Sequence, residues 1–127
     1  MSLLLVILGS GIGGGLRYLL SGYVAQRFGE SFPWGTLVIN SLGSFAIGFF
    51  ATLTGTEGRW LVPAAGRTFF MAGLCGGFTT FSSFSLQTLN LARDAEWLYA
   101  GLNILGSVAL CLLFVWLGHL LAATLNH

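Results

Sequence analysis

The few charged residues of this 127-residue chain are so clustered that they leave long intervals without an ionised group. Residues 31–56, 68–92 and 97–127 carry no Asp, Glu, Lys or Arg, and residues 1–26 carry only Arg17. Each interval exceeds the roughly 20 residues that cross about 30 Å of hydrocarbon at about 1.5 Å per residue. The pattern predicts an all-α membrane protein, one transmembrane domain over residues 1–127 with four spans at approximately 3–25, 32–54, 67–91 and 96–122. Turn and charge signals fill the connectors: Arg27, Gly29, Glu30 and Pro33, then Gly55, Gly58 and Pro63, then Arg93, Asp94 and Glu96.

Composition closes off the other classes. Hydrophobic residues make 55% of the chain, to which 19 glycines are added, while charged residues make 7% against about 25% in soluble domains. Such a chain has nothing to solvate a surface, which excludes a soluble enzyme and a disordered segment. A net charge of +1 offers phosphate no basic patch, so no nucleic-acid partner is expected. Neither His119 nor His127 has a nucleophile, carboxylate or Cys at metal-ligand spacing, and no enzyme is expected. Cys75 and Cys111 lie in apolar stretches and read as packing residues. The N-terminus lacks a basic leader and a small-residue cleavage pattern, and reads as a retained first span.

Orientation normally follows the excess of Lys and Arg on cytoplasmic loops. Here Arg59 and Arg67 on one side balance Arg27 and Arg93 on the other. A chain so balanced inserts either way, which permits an antiparallel homodimer with its two-fold axis in the membrane plane. Four helices are too few to enclose a water-lined path, so oligomerisation is expected if anything crosses. Gly9 and Gly13, and Gly11 and Gly15, form overlapping GxxxG pairs that allow close helix approach. Gly9, Gly11 and Gly14 also show dinucleotide-binding spacing, but that motif requires a βαβ unit that this chain cannot build.

Polar groups inside a membrane are costly and mark function or helix contacts. Thr36, Asn40 and Ser44 recur every four residues on the second span, and Tyr99, Asn103 and Ser107 do so on the fourth, giving two polar stripes. The third span reads Gly76, Gly77, Phe78, Thr79, Thr80, Phe81, Ser82, Ser83, Phe84, Ser85. Its glycine pair and β-branched residues make a poor continuous helix, so a break is expected near Gly76 to Thr80, exposing carbonyls suited to a cation. Beyond it Phe81 and Phe84 share a face, and the positive edge of a phenyl ring coordinates an anion without a fixed charge. Glu30, Glu57, Asp94 and Glu96 all fall in connectors, leaving no carboxylate within a span. A proton-coupled exporter of cations, of the small multidrug type, needs one. Arg17 and the amide and hydroxyl donors suit a small anion instead, with Arg17 assigned a structural or vestibule role. A structural subunit of a membrane complex is the remaining alternative.

At these residues the chain resembles the small fluoride channels of microbes, the Fluc or CrcB family, over essentially its whole length. The resemblance rests on Gly15, Leu16, Arg17 and Tyr18; on Pro33, Gly35, Thr36, Leu37, Asn40, Gly43, Ser44, Phe45 and Gly48; and on the Gly76 to Ser85 run. It implies a dual-topology antiparallel homodimer in the bacterial inner membrane, with two pores each lined by both subunits, requiring lipid but no other protein partner. It further implies that Phe81 and Phe84 coordinate fluoride, that Asn40 is the pore amide donor, and that Ser82, Ser83 and Thr36 belong to a polar track. Tyr99, Asn103 and Ser107 match a fourth-span pore face. Gly76 and Thr79 look like backbone-carbonyl ligands of a structural Na⁺ on the two-fold axis. Gln87 departs from the Glu that relatives often carry. The implied function is passive fluoride export, without catalysis.

Overall fold

The computed structural model describes residues 2–127, and every regular element among them is helical. Four segments are long and apolar enough to cross a membrane: Ser2–Phe28, Trp34–Leu53, Ala64–Arg93 and Trp97–Leu125. The first two are single helices, α1 (Ser2–Phe28) and α2 (Trp34–Leu53). The third is composite. A turn α3 (Ala64–Arg67) runs into a π-helical stretch (Thr68–Cys75), a further turn α4 (Gly76–Phe78), two extended residues and then α5 (Phe81–Arg93). The last span is α6 (Trp97–Leu125).

Local chemistry sets the ends. Gly29 follows α1 at φ +83°, a left-handed conformation that suits a residue without Cβ, and donates its N–H to the Ala25 carbonyl at 2.8 Å. Pro33, which has no N–H to leave unpaired, precedes α2. Arg17 does not interrupt α1, which is continuous through it.

Two seams hold the bundle together, and both depend on missing side chains. Gly9 and Gly13 of α1 face Gly73 and Gly77 of the third span. A methyl at Gly9 would lie 2.7 Å from the Phe69 carbonyl oxygen, and one at Gly77 would lie 2.5 Å from that of Ser10. A methyl at Gly13 would collide with the Leu74 carbonyl. Gly11 and Gly15 face open space, so only one of the two overlapping GxxxG pairs is used within the chain. The second seam joins α2 to α6, where Gly48 abuts Val115 and Gly118 abuts the Phe45 carbonyl. Dispersion contacts and close backbone approach drive such packing, since lipid removes the hydrophobic gain between helices.

The interior is small: Ile39 and Asn103 are the largest side chains with almost no exposure. Large apolar groups instead cover the outside, from Leu3, Leu4 and Leu19 on α1 to Leu105 and Leu112 on α6. α5 is only lightly embedded, with Phe84 as its one buried residue.

Candidate functional site

The site is built around the break in the third span. Gly76 keeps helical angles (φ −63°, ψ −37°), whereas Thr79 (φ −81°, ψ 157°) and Thr80 (φ −150°, ψ 118°) are extended. The sequence places the break near Gly76 to Thr80 and attributes it to the glycines as much as to the residues after them. In the structure the glycines stay helical, because Gly77 is pressed onto Ser10 of α1, and the chain opens at the threonine pair instead. Gly43 of α2 makes the opening possible, since a methyl there would collide with the Thr79 methyl.

A break in lipid must account for every backbone group it frees. The Thr79 N–H and hydroxyl both donate to the Cys75 carbonyl, at 3.0 and 2.9 Å. The Thr80 N–H donates to Asn40 Oδ1 at 2.8 Å, and Asn40 Nδ2 donates back to the Thr80 carbonyl at 2.9 Å. One side-chain amide thus stands in for a peptide unit. Ser83 N–H is capped by Thr80 Oγ1 at 3.2 Å. Arg17 Nε reaches from α1 to the Gly77 carbonyl at 3.2 Å, so the guanidinium turns inward to the break. The Gly76 carbonyl loses its helical partner, the Thr80 N–H, to Asn40, and the Thr79 carbonyl loses Ser83 N–H to the Thr80 hydroxyl. These two oxygens are left as acceptors.

Two cavities flank the break, with Thr80 between them. The wider, about 970 Å³, is lined by Arg17, Thr36, Ser83, Gln87 and Tyr99, with Glu30, Asp94 and Glu96 also on its wall. The narrower, about 330 Å³, is lined by Asn40, Gly76, Thr79, Phe81, Phe84 and Ser107, and no ionised group lines it. Among the described residues Thr80 alone lines both.

The polar and aromatic residues singled out in the sequence therefore separate into three groups. Phe81 and Phe84 meet at 5.3 Å between ring centroids with planes tilted by 53°; Phe84 is buried, whereas Phe81 is 76% exposed. They share the narrow cavity with Asn40 and Ser107. Arg17, Thr36, Ser83 and Tyr99 belong to the wide one, where Tyr99 is held by an edge-on contact with Phe32 at 5.7 Å. Ser82 and Asn103 line neither. Ser82 is exposed, its hydroxyl 3.4 Å from that of Thr80. Asn103 is 1% exposed, donates to Thr88 Oγ1 at 2.8 Å and accepts from Ser107 at 3.3 Å, so its amide joins α5 to α6. The fourth-span stripe is real, but its middle member is turned into the bundle. Sequence reasoning noted Gln87 only as a departure from relatives and Thr80 only as part of the break; in the structure both line the wide cavity, and Gln87 Oε1 is buried without a partner among the described residues. The i, i+3, i+7 spacing of Thr80, Ser83 and Gln87 on one helical face was the available signal.

Four membrane-capable helices around a mid-span break, with an amide, a hydroxyl and two phenyl rings lining one cavity and a larger polar cavity beside it, define a multi-pass membrane protein. Residues 4–119 match the family model described as CrcB-like protein, Camphor Resistance (CrcB). The chain belongs to that family. It is 66% identical over 123 residues to a protein of Paramagnetospirillum magneticum named fluoride-specific ion channel FluC, covering 97% of this chain and 96% of the relative. Proteins with the same name from Opitutus terrae and Rhodospirillum rubrum are 65% and 56% identical over 127 residues, covering 96% and 98% of the relatives.

Proposed function

We infer that this chain forms a fluoride-selective channel that lets fluoride leave the cytoplasm passively and so limits its toxicity. The observation that carries the reading is the smaller cavity, lined by the Phe81 and Phe84 rings, the Asn40 amide and Ser107, with no carboxylate to repel an anion; the positive edge of a phenyl ring and an amide N–H are both groups that take one. The names of relatives covering nearly the whole chain support it. Hydrogen fluoride is a weak acid that crosses membranes uncharged and dissociates in a more alkaline cytoplasm, trapping the anion inside. A pore then suffices, because the gradient drives export and no bond is made or broken.

The residues divide the work. Arg17, Thr36, Ser83 and Tyr99 receive the anion in the wide cavity. Phe81, Phe84 and Asn40 replace part of its hydration in the smaller one, with donors and ring edges that suit a small hard anion better than chloride. Two copies of the chain assemble antiparallel with a pore on each side of the two-fold axis. The exposure of Phe81 and Ser82 supports this, because an aromatic ring and a hydroxyl from a polar helix face gain cover from a second copy that lipid does not give. Balanced Arg27 and Arg93 against Arg59 and Arg67 support insertion both ways.

The carbonyls of Gly76 and Thr79 fit a sodium ion: both are neutral oxygens deprived of helical partners by the break. Two copies would offer four such oxygens at the dimer centre. Bound there, Na⁺ supplies positive charge that satisfies the freed carbonyls. The chain's own part is to present them, which Asn40 and the Thr80 hydroxyl do by occupying the competing N–H groups.

The test is efflux from vesicles containing only this purified protein, read with a fluoride electrode beside chloride-loaded vesicles. Rapid fluoride efflux with little chloride efflux is expected. No efflux of either ion from well-folded protein would overturn the reading.

A further inference from the structure

We propose that Thr80 contacts the anion as it passes between the two cavities, its hydroxyl proton serving as donor at the junction; the inference rests on the channel reading above. Thr80 is the one described residue on the wall of both cavities. An ion moving from the Arg17 side to the Phe81 and Phe84 side meets it on the way.

The hydrogen bonds around Thr80 fix what its hydroxyl can do. Oγ1 accepts the Ser83 N–H at 3.2 Å, which commits a lone pair to the helix start. A hydroxyl has one proton and two lone pairs, so the proton stays free for a partner on the cavity side. Ser82 Oγ, at 3.4 Å, is the nearest competing hydroxyl and is exposed. An anion takes donors, and the capping bond leaves the hydroxyl disposed to give its proton rather than a lone pair. Asn40 acts on the same point from α2: by pairing with both backbone groups of Thr80 it fixes where the side chain stands. Asn40 is in this respect a positioning residue for Thr80, beside any contact of its own with the ion.

A purely structural cap must be separated from an anion contact. Ser, Asn and Asp are all effective N-caps, at least as good as Thr, so T80S, T80N and T80D each preserve the start of α5 while differing at the junction. T80S keeps the hydroxyl donor, and T80D puts a carboxylate there. The measurement is fluoride efflux from vesicles for parent, T80S and T80D, with thermal unfolding of each purified protein as the fold check and T80N as the uncharged control of Asp size. Efflux of T80S within about twofold of the parent is expected, with that of T80D at least about tenfold lower at unchanged melting temperature and T80N between them. T80D conducting like T80S would overturn the junction role and leave Thr80 a cap. Should T80D fail to fold, T80V decides: efflux equal to the parent overturns the proposal, and a loss that T80S does not share, at the parent's melting temperature, upholds it. A parent that passes no fluoride would instead overturn the channel reading itself.

Discussion

Asn40 meets two demands with one amide. Its Oδ1 and one Nδ2 hydrogen are committed to Thr80, leaving the second Nδ2 hydrogen for the narrow cavity it lines. Replacement by Asp keeps the acceptor but sets a carboxylate against the Thr80 carbonyl and puts negative charge in the path. Fluoride efflux of N40D is expected to fall at least about tenfold, measured in vesicles against the parent; increased cation flux with anion flux intact would place the path elsewhere. Phe81 and Phe84 call for a different substitution, because apolar bulk has to stay while the ring edge goes. F81I, at an exposed position, is expected to cost little stability, and F84I, at a buried one, about 1–3 kcal/mol, while each cuts fluoride efflux strongly. Unchanged efflux in both, from protein that is folded at the assay temperature, would remove the ring edges from the mechanism. Neither the pairing of Asn40 with Thr80 nor the inward turn of Asn103 was legible in sequence, since an amide at helical spacing reads the same whether it meets an ion, a backbone or a hydroxyl.

Among the elements, the third span shows how packing redirects local preference. Gly76 and Gly77 are weak helix formers, yet they remain helical because the surface of α1 leaves room for nothing larger at Gly77. The π-helical stretch ahead of them widens the turn, with Gly76 N–H donating to the Met71 carbonyl five residues back. Sequence spacing gave no warning of it. The contact between α1 and this span predicts an asymmetry between the overlapping glycine pairs. G13A and G77A force backbone apart and are expected to destabilise by about 1–3 kcal/mol, whereas G11A and G15A meet open space and gain helix propensity. Thermal unfolding in detergent checks the ranking, and equal effects at Gly11 and Gly13 would contradict the seam described.

Taken whole, the molecule is four spans whose connectors are tied at one end by polar clamps. Arg59 N–H donates to Asn126 Oδ1 at 2.7 Å, Asn126 Nδ2 donates to the Thr52 carbonyl at 3.1 Å, and Arg67 Nη1 donates to the Thr54 carbonyl at 2.6 Å. These bonds hold the 54–63 loop against the end of α6. Dual insertion makes a prediction at this scale. Two extra lysines in the 54–63 loop should fix one orientation, and two in the 29–33 loop the other. Each variant alone is expected to lose fluoride efflux, and their co-expression to restore it. Full activity of either variant alone would rule out the antiparallel pair.

Span number and the absence of an intramembrane carboxylate were determined by sequence alone, because both follow from where charge lies along the chain and lipid allows few answers. The Gly76 to Ser85 run likewise marked the region of the break and the aromatic pair. Which glycines pack, which threonine opens the helix and which asparagine faces a cavity were decided only by tertiary structure. The reason is that each of those outcomes is a competition for a single hydrogen-bond partner or for a few cubic ångströms. α1 wins Gly77, Asn40 wins the Thr80 backbone and Thr88 wins Asn103, and none of these contests can be scored before the helices are side by side.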